Sequence, residues 1–533
     1  MEKQVSSKMN SLKKYMNNKR IYRYSYLLGI FIILIYLGYK VDFSFIRLYK
    51  GLPSMMDLIE RVLKPNLLYS KEVIEKLIET IQMAIIASLM GLVLSLPFSL
   101  FTANNITPNK LLGSILNGLF SFLRTIPSLI WAALLVSIFS IGKFSGIIAL
   151  GIIGFLMSLK LFREYIESIK ENQLNSIRAI GASSIQVLRY CVLPYVFELS
   201  VSVFFIVLET NIRAAAILGL VGAGGIGQIM WKDLNHLRYD NVATIILILF
   251  LTILAIDLLS LFIRKHLNKK NIKFTDIKEH KRFQICKIIY MPMIFVVLLY
   301  IIFKSLDIDY TRLVLGIGQG MDIIRRMVKV DISYFPKMIE GIRESFFIAI
   351  FATIVGGAFS LIFSYLTAYN TSPKRTISLI FKGYINILRT FPPLITAIIF
   401  FRGVGPGPLA GAIALSIYTT GVLTKMYSEV LENTQRNIQD SIIVTGATRF
   451  QSYIHGLLPH TFPSFIGLLL YRLESNIRNS TILGVIGAGG VGTALTINIT
   501  WRNWEKVGLL LIGVSIMIII IDKLSQYLRK VFL

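Results

Sequence analysis

The chain has 533 residues, of which 54% are hydrophobic and 16% charged; soluble domains carry about 25% charged residues. Mean hydropathy is +0.66, and the apolar residues gather in blocks of about 20, the length that crosses the hydrocarbon core of a bilayer. A soluble enzyme, a disordered chain and a secreted disulfide scaffold are thereby excluded. Lys and Arg number 56 against 29 Asp and Glu, a formal charge of +27. The excess sits in short loops between apolar blocks, where the positive-inside rule explains it without nucleic acid. The two cysteines, Cys191 and Cys286, fit no metal or disulfide framework.

A basic tail (1–20, with Lys3, Lys8, Lys13, Lys14, Lys19 and Arg20) precedes the first apolar block, Ile21–Tyr39. That block has no small-residue cleavage site behind it and reads as a span. Leu77–Phe101, Leu111–Ser140, Ser145–Leu161, Leu193–Leu208 and Val242–Ile263 follow. A basic linker (264–284) leads to Ile285–Phe303, Phe346–Leu366, Ile377–Phe401, Leu409–Tyr427, Phe462–Tyr471 and Val507–Ile521. Twelve spans are expected, or ten to eleven if the blocks broken by proline or charge do not cross. Tail and linker both read as cytoplasmic, which agrees with an even number of spans between them.

The halves, 21–263 and 285–533, repeat at a fixed offset of 265 positions. Arg124 maps to Arg389, Glu164 to Glu429, Gly181 to Gly446 and Asp257 to Asp522. Asn211–Gly227 and Asn476–Gly492 share 11 of 17 residues. Six spans per half give both halves one orientation, a parallel repeat about an axis along the membrane normal.

Four polar features recur. A cytoplasmic loop carries Asn175, Ser176, Ile177, Gly181, Ala182 and Pro194, and again Asp440, Ser441, Ile442, Gly446, Ala447 and Pro459. A short helix, a glycine turn and a second helical stretch ending at the proline make an exposed knob suited to a partner's groove. Glycine runs contain Gly222, Gly224 and Gly225, and Gly487, Gly489 and Gly490. They match G-x-G-x-x-G, but a dinucleotide site needs a preceding strand and a later acidic residue. Here the run follows a membrane span, and close backbone approach around a gate is expected instead. Glu209, Asn211 and Arg213 recur as Glu474, Asn476 and Arg478. The Glu and Arg lie one turn apart, near the outer edge of the bilayer, and read either as a polar constriction for anions or as a self-satisfied pair. Arg124-Thr125-Ile126-Pro127 recurs as Arg389-Thr390-Phe391-Pro392, with a proline that breaks the third span. These arginines either face the path and favour anionic cargo or hold the cytoplasmic interface. Asp257 and Asp522 are expected to pair with basic residues of the linker or loop.

These residues resemble the permease subunits of type I ABC importers. The loops keep the Gly and the Leu-Pro thirteen residues on of that family's EAA loop, but Asn175-Ser176-Ile177 and Asp440-Ser441-Ile442 replace its Glu-Ala-Ala. Within the superfamily, Leu123–Val136, Leu388–Ala397 and the two glycine runs are most similar to phosphonate permeases, and methionine and glycine-betaine permeases share parts of the runs. The resemblance implies an all-α polytopic membrane protein with two fused permease repeats in the cytoplasmic membrane, both termini inside. It also implies a separate ATP-binding subunit dimer that holds ATP and Mg, and an extracytoplasmic substrate-binding protein. The chain itself is expected to bind no cofactor: it has no G-x-x-x-x-G-K-[ST] phosphate loop and no catalytic constellation. The alternatives are an ABC permease for methionine or glycine betaine, a secondary transporter with parallel six-span repeats, and a membrane-bound NAD enzyme.

Overall fold

The computed structural model describes residues 32–107, 109–268, 311–390 and 393–532, together with Gly29, Tyr300 and Lys304. The tail, most of the first block, most of the linker and most of Ile285–Phe303 lie outside these residues.

After a helical stretch at 32–40, the first half contains α1 (Phe45–Val62), α2 (Ser70–Thr102), α3 (Lys110–Thr125), α4 (Ser128–Phe139), α5 (Lys143–Glu167), α6 (Glu171–Ala179), α7 (Ser184–Val187), α8 (Leu193–Leu218), α9 (Ile226–Asn235) and α10 (Tyr239–Asn268). The second half repeats them as α11 (Thr311–Val328), α12 (Phe335–Thr367), α13 (Arg375–Thr390), α14 (Pro393–Val404), α15 (Pro408–Asn433), α16 (Arg436–Ile443), α17 (Arg449–Ser452), α18 (Leu458–Leu483), α19 (Val491–Thr500) and α20 (Trp504–Phe532). The offset of 265 therefore holds for secondary structure as well as for sequence. There is no strand among the described residues. Among the described residues seven helices are long and apolar enough to cross a membrane, or nine if each bent pair is one span. The pair α8 and α18 shows why a hydropathy count is asymmetric: α18 holds Arg472, Glu474 and Arg478 where α8 holds Val207, Glu209 and Arg213.

The break in the third block is a sharp bend, 88° between α3 and α4 and 81° in the second half. Its cause is local. Pro127 has no N–H to continue the ladder, and the preceding Ile126 is forced into extended backbone, ψ 119°. Pro392 and Phe391 lie outside the described residues.

Each half packs on small residues. A Cβ placed on Gly91 of α2 would lie 2.5 Å from the Phe155 nitrogen of α5, and one on Gly356 of α12 would lie 2.7 Å from the Thr419 Cβ of α15. Backbones can approach this closely in lipid only where side chains are small. The halves then cover each other reciprocally. Helix α1 packs on α14 and α11 on α4, while α20 packs on α3 and α10 on α13. A Cβ on Gly51 of α1 would collide with the carbonyl oxygen of Gly403 in α14, and Thr125 donates a hydrogen bond to Ser515 of α20 at 2.9 Å.

Helices α1 and α11 belong to none of the apolar blocks. They are amphipathic: Phe45, Ile46 and Tyr49 are exposed while Met55 and Leu58 are buried. Such a helix suits the boundary between bilayer and water.

The tightest crossing within each half is between the end of the fifth span and the short helix after it. Gly219 lies against the backbone of Gly227, and Gly484 against that of Gly492, with no room for a Cβ. Gly219→Val or Gly484→Val is expected to lower stability by about 1–3 kcal/mol through overpacking. The check is thermal unfolding of the purified chain in detergent, and a midpoint equal to wild type in both variants refutes the close-approach account.

Candidate functional site

The two loops are built alike. In the first, α6 carries Asn175, Ser176 and Ile177; in the second, α16 carries Asp440, Ser441 and Ile442. Leu174 is buried and pins α6 to the bundle. Its counterpart Gln439 is also buried and donates to the Asn370 carbonyl at 2.7 Å. Gly181 and Gly446 make the turn at φ +83° and +85°, with open space where a Cβ would be. Ala182 and Ala447 follow, half-buried. The next helical turn is fixed by reciprocal capping: Ser183 N donates to Gln186 Oε1 at 2.7 Å, and Thr448 N to Gln451 Oε1 at 2.8 Å.

The second stretch does not end at the proline. It runs through a π-helical turn, Leu188–Val192 and Tyr453–Leu457, directly into the spans α8 and α18. Pro194 and Pro459 lack the N–H that an α-helical i→i−4 bond needs at that point. The helix widens instead, with Leu193 N donating to Leu188 O and Leu458 N to Tyr453 O. The outer surface of each loop is open and mixed: Ile185, 76% exposed, and Phe450, 52% exposed, stand among exposed polar residues such as Asn175, Ser176, Asp440 and Ser441.

The glycine runs are internal joints. Gly222, Gly224, Gly225, Gly487, Gly489 and Gly490 all have positive φ, so the chain reverses from the fifth span into α9 or α19. The carboxylate of Glu79 in α2 accepts from Gly225 N at 3.1 Å, and that of Glu344 in α12 accepts from Gly490 N at 2.8 Å. Thr80 and Ser345 accept from the next N–H, at 2.7 and 2.9 Å. A carboxylate thus occupies the helix N-terminus that a dinucleotide motif would offer to pyrophosphate. This geometry, with no strand before it, removes the dinucleotide reading. The close approach joins elements of one half. Sequence reasoning missed Glu79 and Glu344, whose shared offset was the available signal.

The charged residues gather where the halves meet. Arg213 pairs with Glu209 and Arg478 with Glu474, each on its own helix. Asn211 and Asn476 are wholly buried; Asn211 donates to Ser88 at 2.9 Å, and Asn476 to Thr353 at 2.9 Å and to Thr419 at 2.9 Å. Arg389 of α13 pairs with Asp257 of α10 at 3.6 Å. The expected partner of Asp257, a linker or loop cation, is therefore replaced by the arginine of the bend in the other half. Asp522 accepts from Gln526, one turn along the same helix, at 3.1 Å. Arg124 interacts electrostatically with Arg478, Glu474, Asp522 and Glu164, and so joins residues of both halves. Lys160 and Glu164, 3.6 Å apart, and Lys425 and Glu429, 4.0 Å apart, extend the two clusters. Among the described residues no group of three His, Cys, Asp or Glu is placed to hold a metal ion.

Residues 95–273 and 360–532 each match the family described as binding-protein-dependent transport system inner membrane component. The chain belongs to this family. It is a permease subunit of ABC importers, a transport component and not an enzyme, with two copies of the permease unit in one polypeptide. The phosphate-import permease protein PhnE of Mycolicibacterium smegmatis is 27% identical over 494 residues, 92% of either chain. The phosphite transport system permease protein PtxC of Stutzerimonas stutzeri is 31% identical over 225 residues, 42% of this chain and 82% of its own. Among solved structures, the inward-facing methionine ABC transporter MetNI is 19% identical with a TM-score of 0.35, over 38% of this chain and all of that one.

The pair across the halves makes a direct prediction. Asp257→Asn leaves Arg389 without its carboxylate and is expected to reduce uptake several-fold. The swap Asp257→Arg with Arg389→Asp is expected to recover part of it. Uptake assays in cells check both, and wild-type uptake by Asp257→Asn shows the pair to be dispensable.

Proposed function

We propose that this chain forms the whole membrane pathway of an ATP-driven importer for phosphonate or a related phosphorus oxyanion. A separate dimer of ATP-binding subunits grips the two loops, holding ATP and Mg, and drives alternating access. A separate extracytoplasmic binding protein delivers the solute. The chain sits in the cytoplasmic membrane with both termini inside, in keeping with the basic tail and linker.

The observation that carries this reading is the pair of loops. Each is pinned to the bundle on one face, exposed on the other with apolar residues such as Ile185 and Phe450 among polar ones, and continuous with a spanning helix. One exposed loop is common; two with the same turn, cap and π-turn at one offset suit a dimeric motor with two equivalent grips. The substrate class rests on the names of the relatives and on the arginines between the halves, since charge-assisted hydrogen bonds from Arg favour phosphoryl and phosphonyl oxygens.

Deleting the ATP-binding subunit is the primary test. Uptake that persists without it favours a secondary transporter. Gly181→Leu with Gly446→Leu is expected to cut ATP-coupled uptake to background while leaving membrane insertion intact, because a leucine strains a turn at positive φ and adds bulk to the gripping face. Normal uptake by that double variant removes the coupling role of the loops.

A further inference from the structure

Most polar side chains between the halves have counterparts 265 positions away. One group does not. In the second half Tyr418, Thr419 and Arg472 stand where the first half has Ile153, Gly154 and Val207. Arg472 lies midway along α18 and is 5% exposed. Its guanidinium carbon sits 4.6 Å from the centre of the Tyr418 ring, and its Nε donates to Thr419 Oγ1 at 3.5 Å. Its Nη2 is buried with no partner. Among the described residues no carboxylate forms an ion pair with it, although Glu474 and Glu209 both have arginines of their own.

An arginine keeps its charge in a protein. Buried in a membrane-spanning bundle without an anion, it is expensive, and such residues mark ion and solute pathways. The fold does not need it, since the first half packs the same position with Val207. The hydroxyls of Tyr418 and Thr419 lie beside it, while the Asn476 amide one turn further along α18 already donates to Thr353 and Thr419. The adjacent Tyr471 lies under Lys160 of the first half, 6.0 Å from ring centre to Nζ, which puts this group beside the seam between the halves.

We propose that Arg472, with Tyr418 and Thr419, is an intramembrane binding site for one tetrahedral oxyanion, a single site per chain on the second half only. This rests on the import reading above and adds the place where cargo pauses. The free Nη2 and the forked guanidinium supply parallel N–H donors to two oxygens of the anion, and the Tyr418 hydroxyl donates to a third, while Thr419, whose hydroxyl donates to Asn476, holds the guanidinium through Nε. The packing around Arg472 parts as the halves rock, and the arriving anion provides the missing counter-charge.

Stability and transport move in opposite directions under this proposal, and together under a structural role. The full transporter, with its ATP-binding subunit and binding protein, is reconstituted in proteoliposomes and supplied with methylphosphonate. Arg472→Met is expected to cut uptake at least tenfold while the thermal midpoint of the purified chain stays level or rises, because an unpaired buried charge has been replaced by an apolar group of similar length. Arg472→Lys is expected to retain more uptake than Arg472→Met. Wild-type uptake by Arg472→Met overturns the site and leaves the import function standing. A lowered midpoint or failure to fold in Arg472→Met also overturns it, by making Arg472 structural. A wild-type transporter that imports no methylphosphonate takes the substrate reading down and the site with it.

Discussion

Neither half of this molecule closes on its own. The bent third span leaves one arm, α3 or α13, to be covered by the last span of the opposite half, and the other arm, α4 or α14, to be covered by the opposite amphipathic helix. The bend follows from a proline that cannot continue a helical ladder. In the first half the bend sets Thr125 against Ser515, and in the second Arg389 at the end of α13 meets Asp257, so charged and polar residues lie along the seam.

Inside each half the decisive contacts are polar but local. Glu79 and Glu344 hold the first N–H groups of the short helix after the glycine run, a favourable site for a carboxylate. The arrangement fixes how the fifth span turns back. At the other end of that span the π-turn joins it to the loop without a break. The loop and the span are therefore continuous helix, with the Glu–Arg pair and the capped joint at the far end.

Much of this was legible in the sequence. The 265-residue offset, the glycine turns of the loops, the proline break and the Glu–Arg spacing all follow from local chemistry, which a sequence displays directly. The amphipathic α1 and α11 were not found, because a search for apolar blocks passes over a helix with one polar face. The course of the second loop stretch was misjudged at Pro194 and Pro459. A proline signals the start of a helix, and only tertiary structure reveals that a widened turn carries the helix through. The partner of Asp257 was also out of reach, since Arg389 lies 132 positions away in the other half. Arg472 was visible as a residue, but its meaning depends on burial and on the lack of a counter-ion.

Fusion of the two permease units has a consequence for how such a protein can evolve. In an assembly of two identical subunits every substitution near the axis is made twice, and a buried cation on one side would face its own copy. Here Val207 and Arg472 answer to separate codons. A lone buried cation such as Arg472 need not face a copy of itself, and each half is free to change without the other.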